Sequence, residues 1–202
     1  MAVIVGGPGC DRSAEPATAR GVFRRNSPVS AIDFDTSGAN PVCVEAWSFG
    51  SVSMIRTAVS EIRLARSPRD ISHGPTGTLG LAVQERGIGR FEQFGLAHVV
   101  HPGELLLADL DAPYTFHWAG GGSSRCVRIP VAALEIPHTE LARAAGTLHL
   151  SPLYDLARGH IGTLDIGRAG EISRAAGEAL STATIALAEA VLGTTRRRRS
   201  RG

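Results

Sequence analysis

The sequence predicts an α+β protein in which an antiparallel β-barrel or sandwich is followed by a helical region. Short β-prone runs separated by turn residues crowd together between residues 43 and 129, and the pattern becomes helical after Pro130. The composition, 43% hydrophobic and 20% charged, is sufficient for a core and argues against general disorder. No apolar run approaches the ~20 residues of a membrane span, so no membrane partner is expected.

The first part of the chain, residues 1–40, is predicted to be a partly disordered leader. Gly, Pro, Ser, Ala and Arg dominate its composition, and these residues favour turns and irregular backbone. One short element is expected around residues 32–34.

Residues 41–130 predict about eight short strands separated by turn residues such as Pro68, Gly95 and Pro102. So many short strands must close into a barrel or pack as a sandwich, because each sheet face needs a partner and open edges invite aggregation. The predicted strands cover residues 42–49, 52–64, 79–86, 88–93, 96–101, 104–109, 114–118 and 126–129.

Residues 131–193 predict a helical region with three helices. The first covers residues 139–145, and the second follows Ser151 and Pro152, a cap followed by proline at the first helical position, to about Gly159. Asp165 is expected to cap the last helix, and Gly193 is placed to end it.

One stripe of side chains follows the last predicted helix at helical spacing: Leu180, Thr184, Leu187 and Val191. Three glycines weaken this helix, so its stripe must be covered either by the β-structure or by a second copy of the chain. We interpret the stripe as a dimerisation surface, with packing on the β-structure as the alternative.

The C-terminal residues 194–202 are predicted to be a disordered Arg-rich tail. Residues 196–199 and 201 carry five positive charges, and removing them from the formal net charge of +2 leaves −3 for the remainder. All 21 basic residues are arginines, which excludes a Walker phosphate-binding loop and Schiff-base catalysis. A basic tail attracts nucleic acid by charge, but a solvated end is favoured here because no recognition element accompanies it.

The three cysteines, Cys10, Cys43 and Cys126, are widely separated and contain no C-x-x-C pair. This pattern supports neither a disulfide framework nor a zinc knuckle. A reducing, cytoplasmic setting without a cofactor is therefore expected.

Searches for catalytic motifs leave one candidate metal site, formed by His98, His101, Glu104 and His117. The spacing argues against it, because His98 and His101 face opposite sides of a regular strand. A metal-dependent enzyme using these four residues is kept as the alternative function. The pair Asp109 and Asp111 resembles an acid–base pair, but its position before a proline favours a turn cap.

Aromatic residues concentrate in the predicted strands and form the core or line a cavity for a small ligand. Tyr114, Phe116 and Trp118 share one face of their strand, and Thr115 and His117 share the other. Alternation alone does not decide which face is inside. The candidate ligand-binding residues are Trp47, Gln84, Tyr114, Phe116 and Trp118.

Three segments resemble the N-terminal effector-binding domain of AraC/XylS-type transcriptional regulators. They are residues 79–95 (LGLAVQERGIGRFEQFG), residues 101–116 (HPGELLLADLDAPYTF) and residues 127–134 (VRIPVAAL), and the resemblance extends over about residues 20–192. It implies a cupin-like β-barrel that binds a small-molecule effector, followed by helices that form a homodimer or a heterodimer with a full-length regulator.

The resemblance also argues against two other functions for this chain, catalysis and sequence-specific DNA binding. Tyr114 and Thr115 stand near the position where enzymatic cupins place a metal-binding histidine, which favours a ligand-binding barrel that is not an enzyme. The family adds a second domain with two helix-turn-helix modules, and the residues after Gly193 cannot form one. We therefore expect no sequence-specific DNA binding by this chain alone.

Overall fold

The computed structural model describes residues 10–13, 16–26, 31–35, 42–137, 140–165 and 171–197. Within these ranges the chain forms eleven strands and five α-helices. The strands are β1 (Cys10–Ser13), β2 (Ala31–Asp35), β3 (Cys43–Phe49), β4 (Val52–Val59), β5 (Glu61–Arg66), β6 (Thr78–Arg86), β7 (Gly89–Gln93), β8 (Leu96–Val100), β9 (Leu105–Asp109), β10 (Tyr114–Trp118) and β11 (Gly122–Pro130). The helices are α1 (Pro16–Asn26), α2 (Pro68–His73), α3 (Leu141–Thr147), α4 (Tyr154–Thr163) and α5 (Arg174–Arg197).

The strands form two antiparallel sheets. One has six strands in the order β1-β3-β4-β11-β6-β9, and the other has five in the order β2-β5-β10-β7-β8. The predicted α+β class with an antiparallel, cupin-like β-structure is confirmed. The two sheets pack as a jelly-roll sandwich, which is one of the two arrangements that the sequence predicts.

Part of the predicted leader contributes to both sheets. β1 pairs with β3 in the six-stranded sheet, and β2 pairs with β5 in the five-stranded sheet. Helix α1 buries Ala19, Val22 and Phe23 in the core between the sheets. These short elements gain their stability from tertiary packing, so composition alone predicted little structure before residue 40. The predicted tail beyond residue 197 lies outside the described residues.

Two strand boundaries differ from the prediction. The run 52–64 is two strands, β4 and β5, which belong to different sheets and are separated at Ser60. Ser60 accepts a hydrogen bond from the backbone N–H of Gly121 at 2.7 Å, which holds the corner against the β10–β11 turn. β11 begins at Gly122 within the predicted turn, where a Cβ would lie 2.7 Å from the Trp118 indole. Glycine is required there by this close approach.

The helices also differ from the prediction at their ends. α5 begins at Arg174, so Asp165 does not cap it, and it continues through Gly193. α4 begins at Tyr154 and ends at Thr163, later than expected. The short helix α2 was not predicted, although Ser67 and Asp70 form a capping box at its start.

Side-chain alternation divides each strand of the six-stranded sheet between two environments. On β11, Val127 and Ile129 pack against the helical region, whereas Cys126 packs between the sheets. Helices α3, α4 and α5 therefore cover the outer face of this sheet. The helical-side core contains Trp47, Phe49, Val52, Met54, Leu79, Leu81, Leu107, Leu141, Ile161, Val191 and Leu192.

Helix α5 is fastened to the sandwich by polar contacts as well as by its apolar face. The β3–β4 turn at Gly50 has a φ of +57°, and a Cβ there would lie 2.6 Å from Cβ of Ser181. The hydroxyl of Ser181 accepts a hydrogen bond from the N–H of Ser51 at 3.2 Å. A carboxylate oxygen of Glu189 accepts one from the N–H of Glu135 at 2.8 Å.

Candidate ligand-binding site

A cavity lies between the two sheets, and the inward-facing side chains of eight strands form most of its wall. Its volume is about 80 Å³. It is lined by Phe23, Ile55, Thr57, Ile62, Leu64, Ala82, Gln84, Phe91, Val100, Leu106, Ala108, Leu110, Tyr114, Phe116, Ser124, Cys126 and Arg128. Small-molecule sites combine such an apolar wall with a few polar groups that orient the ligand.

Gln84 contributes a buried amide to this wall. Its side-chain nitrogen donates to the carbonyl oxygens of Arg86 and Gly87 at 2.8 and 3.2 Å. These two bonds tie the amide to the turn that follows β6, which fixes its orientation. The amide oxygen carries no hydrogen bond within the described part of the chain, so it can accept one from a ligand.

Arg128 brings a cation to the cavity. Its Nε and Nη2 donate to the Ser53 hydroxyl at 3.1 and 2.8 Å, and this contact with the neighbouring strand β4 positions the guanidinium. Burial lowers the pKa of Arg128, and the nearby Cys126 and Tyr114 oppose that shift. An arginine pKa is so high that the side chain stays charged at neutral pH.

Tyr114 and Cys126 supply the other titratable groups of the wall. Burial raises the pKa of Tyr114, and burial raises the pKa of Cys126 to about 11. Both groups therefore remain protonated at neutral pH. The cavity wall therefore includes one cation, Arg128, and two neutral protonated groups, Tyr114 and Cys126.

The structure places the predicted ligand-binding residues in two groups. Gln84, Tyr114 and Phe116 line the cavity. Trp118 lies on the same inward face, but it stacks edge-on against Phe116 with ring centroids 5.5 Å apart and donates to the Val59 carbonyl at 3.3 Å. Trp47 faces the opposite side, where it packs against Phe49 and the helical region. Neither tryptophan is part of the cavity wall.

Sequence reasoning missed Arg128 and Cys126 as site residues. The signal was present, because the two residues alternate with Val127 and Ile129 along one strand. Alternation shows that Cys126 and Arg128 share one face of this strand, but it cannot show that the second sheet covers that face.

The alternative metal site is not assembled in the described part of the chain, where no group of three or more His, Cys, Asp or Glu residues could hold an ion. His98 and Glu104 approach to 3.5 Å, and Glu104 accepts from the backbone N–H of His101 at 2.6 Å. His117 lies on β10 between Arg63 and Arg90 of the neighbouring strands. Two adjacent cations disfavour a metal ion at His117.

The predicted turn role of the aspartate pair agrees with the geometry. Asp111 accepts from the backbone N–H groups of Thr76 and Gly77 at 2.7 and 2.6 Å, and from the Thr76 hydroxyl at 2.9 Å. Burial opposes ionisation, but these hydrogen bonds and Arg66 lower the pKa of Asp111 overall. Asp109 accepts from the N–H of Asp111 at 2.9 Å.

The predicted dimerisation stripe packs within its own chain. Thr184 and Val191 are buried, and Leu180 and Leu187 pack against the helical-side core. The Thr184 hydroxyl also lies 2.9 Å from Nε2 of His160 on α4. These four residues therefore do not form a free surface on α5.

One helix in the described ranges, Arg174–Thr194 of α5, is long and apolar enough to cross a membrane by length and composition alone. A core helix of a soluble protein passes the same test, and about 33% of this segment is buried within the chain.

Comparisons with known proteins include a strong structural likeness. The crystal structure of the AraC-like transcriptional activator CuxR matches with a TM-score of 0.70 at 16% identity, covering 91% of this chain and 69% of that chain. At this identity the likeness shows the fold. No curated protein matches the sequence.

Two further structures are similar at a level that carries no argument. An RmlC-like cupin protein from Desulfovibrio desulfuricans has a TM-score of 0.35 at 14% identity, covering 50% of this chain and 91% of that one. Ectoine synthase from P. lautus has a TM-score of 0.35 at 15% identity, covering 48% and 68%. The sequence itself matches the family model of the AraC-binding-like domain over residues 30–195. Because this match spans most of the chain, the protein belongs to the AraC-binding-like domain family.

Proposed function

We propose that the chain is the small-molecule effector-sensing domain of a cytoplasmic AraC-type transcriptional regulator, that it is not an enzyme, and that the inter-sheet cavity is the effector site. The cavity carries the proposal, because an apolar wall with Gln84, Tyr114 and Arg128 suits a small ligand. The family membership supports a regulatory, effector-binding role. The free thiol of Cys126 is compatible with a reducing compartment.

Filling the cavity tests the location of the site. Ala82 lines the cavity from β6, so Ala82→Phe places a ring in the ligand space. A library of small apolar metabolites is screened by thermal shift, since a ligand that binds the folded state raises the melting temperature. Compounds that stabilise the wild type are expected to lose their effect in Ala82→Phe.

The matched control is Ala97→Phe on β8, an exposed position that does not line the cavity. If Ala82→Phe is too unstable to study, Ala82→Leu gives a smaller obstruction with the same expectation. Compounds that stabilise the wild type and both cavity variants equally would place the effector site elsewhere.

We further propose that the domain dimerises through the outward face of α5, with a second copy or with a full-length relative. About two-thirds of the apolar segment Arg174–Thr194 is left unburied by its own chain. The exposed face carries small residues spaced by three or four positions: Ala175, Ala179, Thr182, Ala186 and Ala190. Small side chains let two helices approach closely, so this face suits an antiparallel or parallel helix pair.

Paired arginine substitutions test this surface against the predicted stripe. Ala186→Arg places a charge in the proposed seam and is expected to give a folded monomer. Leu187→Arg disrupts packing against the chain's own core and is expected to destabilise the fold. Light scattering at tens of micromolar separates these outcomes, with Ala97→Arg as the control. A monomeric wild type, or a dimeric Ala186→Arg variant, would contradict the proposal.

A further inference from the structure

Arg128 differs from the other well-packed arginines of the six-stranded sheet and its surroundings. Arg56 and Arg125 contact Glu85 at 3.0 and 2.9 Å, and Arg66 lies 3.6 Å from Asp111. Arg128 has no carboxylate partner in the described part of the chain, and its hydrogen bonds go to the neutral hydroxyl of Ser53. A partly buried cation without an anion is costly, so the cavity lacks one charge.

Tyr114 faces the same space. Its side chain is 8% exposed, and its hydroxyl has no hydrogen-bond partner among the described residues. A buried phenol normally finds a partner, so this donor is also available to a ligand. Arg128 and Tyr114 both line the cavity, so the guanidinium and the phenol face one shared space.

We propose that the effector is a small apolar carboxylic acid, bound as its anion, with the carboxylate paired to Arg128 and hydrogen-bonded to the Tyr114 hydroxyl. This inference rests on the proposed effector site. The planar guanidinium fits a carboxylate in a two-point arrangement. The apolar body of the ligand lies against Phe91, Leu110 and Phe116, which form part of the wall.

The dimensions and charge of the cavity narrow the ligand class. A volume of about 80 Å³ is about half of the roughly 150 Å³ of a cavity that binds benzene, so the ligand has few heavy atoms. The single guanidinium balances one negative charge, and the neutral hydroxyl of Tyr114 adds a hydrogen-bond donor. A phosphate ester would leave charge unpaired against the aliphatic wall, so a monocarboxylate is favoured.

Matched pairs of acids and neutral amides test the proposal by calorimetric titration at neutral pH. The probes are propionate, isobutyrate and cyclopropanecarboxylate, each with the amide of the same shape. The acids are expected to bind the wild type about tenfold to hundredfold more tightly than the amides, as for hydrogen bonds to charged groups. Arg128→Met should abolish this difference, and Arg128→Lys should retain part of it.

Two further variants separate recognition from folding. Arg90→Met removes an exposed arginine on β7 that does not line the cavity, and it should keep the full preference for acids. Tyr114→Phe should weaken the acids by about three- to tenfold and leave the amides unchanged. Arg128→Met should melt at or above the wild-type temperature, because it removes a desolvated charge that has no acidic partner.

The outcomes distinguish this inference from the effector site itself. If the amides bind as tightly as the acids, and Ala82→Phe blocks both, the cavity remains the effector site and the carboxylate proposal is overturned. If no acid binds, the carboxylate proposal is overturned, and the Ala82→Phe screen judges the site independently. An acid preference that survives Arg128→Met would also contradict the assignment.

Discussion

At the scale of single residues, the charged side chains inside this domain divide into two kinds. Arg56, Arg66 and Arg125 contact acidic side chains and join neighbouring elements. Arg128 contacts a hydroxyl and faces a cavity. The paired arginines stabilise contacts within the fold. Arg128 instead keeps a desolvated charge without an acidic partner in the described residues, and an anionic ligand can offset that free-energy cost.

Asp111 gives a pH-dependent prediction at this scale. Its folded-state pKa lies below the ordinary value, so the folded protein binds this proton more weakly than the unfolded chain. Its contribution is therefore present above about pH 4 and is lost as the pH falls towards the folded-state pKa. The wild-type free energy of unfolding should decline on acidification, and Asp111→Asn should be about 1–3 kcal/mol less stable at pH 7, with a shallower decline.

Urea denaturation at a series of pH values measures this effect. Asp155→Asn is the control, because the Asp155 side chain is 82% exposed and its ion pair with Arg158 lies on the surface. Parallel stability curves for the wild type and Asp111→Asn would show that Asp111 does not supply the acid sensitivity.

Residue identities could be predicted for part of the site. Alternation placed Tyr114 and Phe116 on one face, and the structure shows that this face is the inner one. The sequence could not show which face of its strand Trp47 occupies, because both faces are buried, one by helices and one by the second sheet. Hydrophobicity alone does not distinguish two apolar environments.

At the scale of elements, Arg125 connects β11 to the end of α4. Its Nη1 donates to the carbonyl of Gly162 at 2.6 Å and also to that of Leu164, and its Nη2 lies 2.9 Å from Glu85. The last carbonyls of a helix lack partners within the helix, and a cation there also complements the helix dipole. The contact therefore both ends α4 and holds it on the sheet.

Arg125→Met keeps most of the side-chain volume and removes these bonds. We expect a loss of about 2–4 kcal/mol in the free energy of unfolding, together with faster amide exchange in the last turn of α4. Arg143→Met, which removes an exposed pair with Glu140, should cost less than about 1 kcal/mol. Equal losses in the two variants, or unchanged exchange in α4, would show that Arg125 does not fasten the helix.

Elements with strong alternation were predicted best, and β10 matches its predicted range of residues 114–118. The elements that were missed depend on distant contacts. β1 and β2 are short strands that exist because β3 and β5 offer edges to pair with. The end of α5 was misplaced because glycine often ends a helix, whereas this helix continues through Gly193.

At the scale of the whole molecule, the charge distribution predicts how the chain meets DNA. Residues 196–199 and 201 are arginines, and the charge without them is −3 against a total of +2. We expect weak binding to any duplex, with a slope of log affinity against log salt no steeper than about −4.5. A chain ending at residue 193 should lose this attraction.

Fluorescence anisotropy with two unrelated duplexes at several salt concentrations measures this binding. Equal affinities that fall together with salt are expected, because phosphate contacts carry no sequence information. A tenfold preference for one duplex at physiological salt would show that the folded body reads DNA, which would contradict the expectation of no sequence-specific binding by this chain alone.

The two faces of β11 connect the cavity with the helical layer. Arg128 projects towards the cavity, and Arg125, three positions earlier and about 10 Å along the strand, holds the end of α4. One strand thus forms part of the cavity wall and holds the end of a helix. Helix α4 in turn contacts α5, where Nε2 of His160 lies 2.9 Å from the Thr184 hydroxyl. The inter-sheet cavity and the helical layer are therefore connected through a single strand.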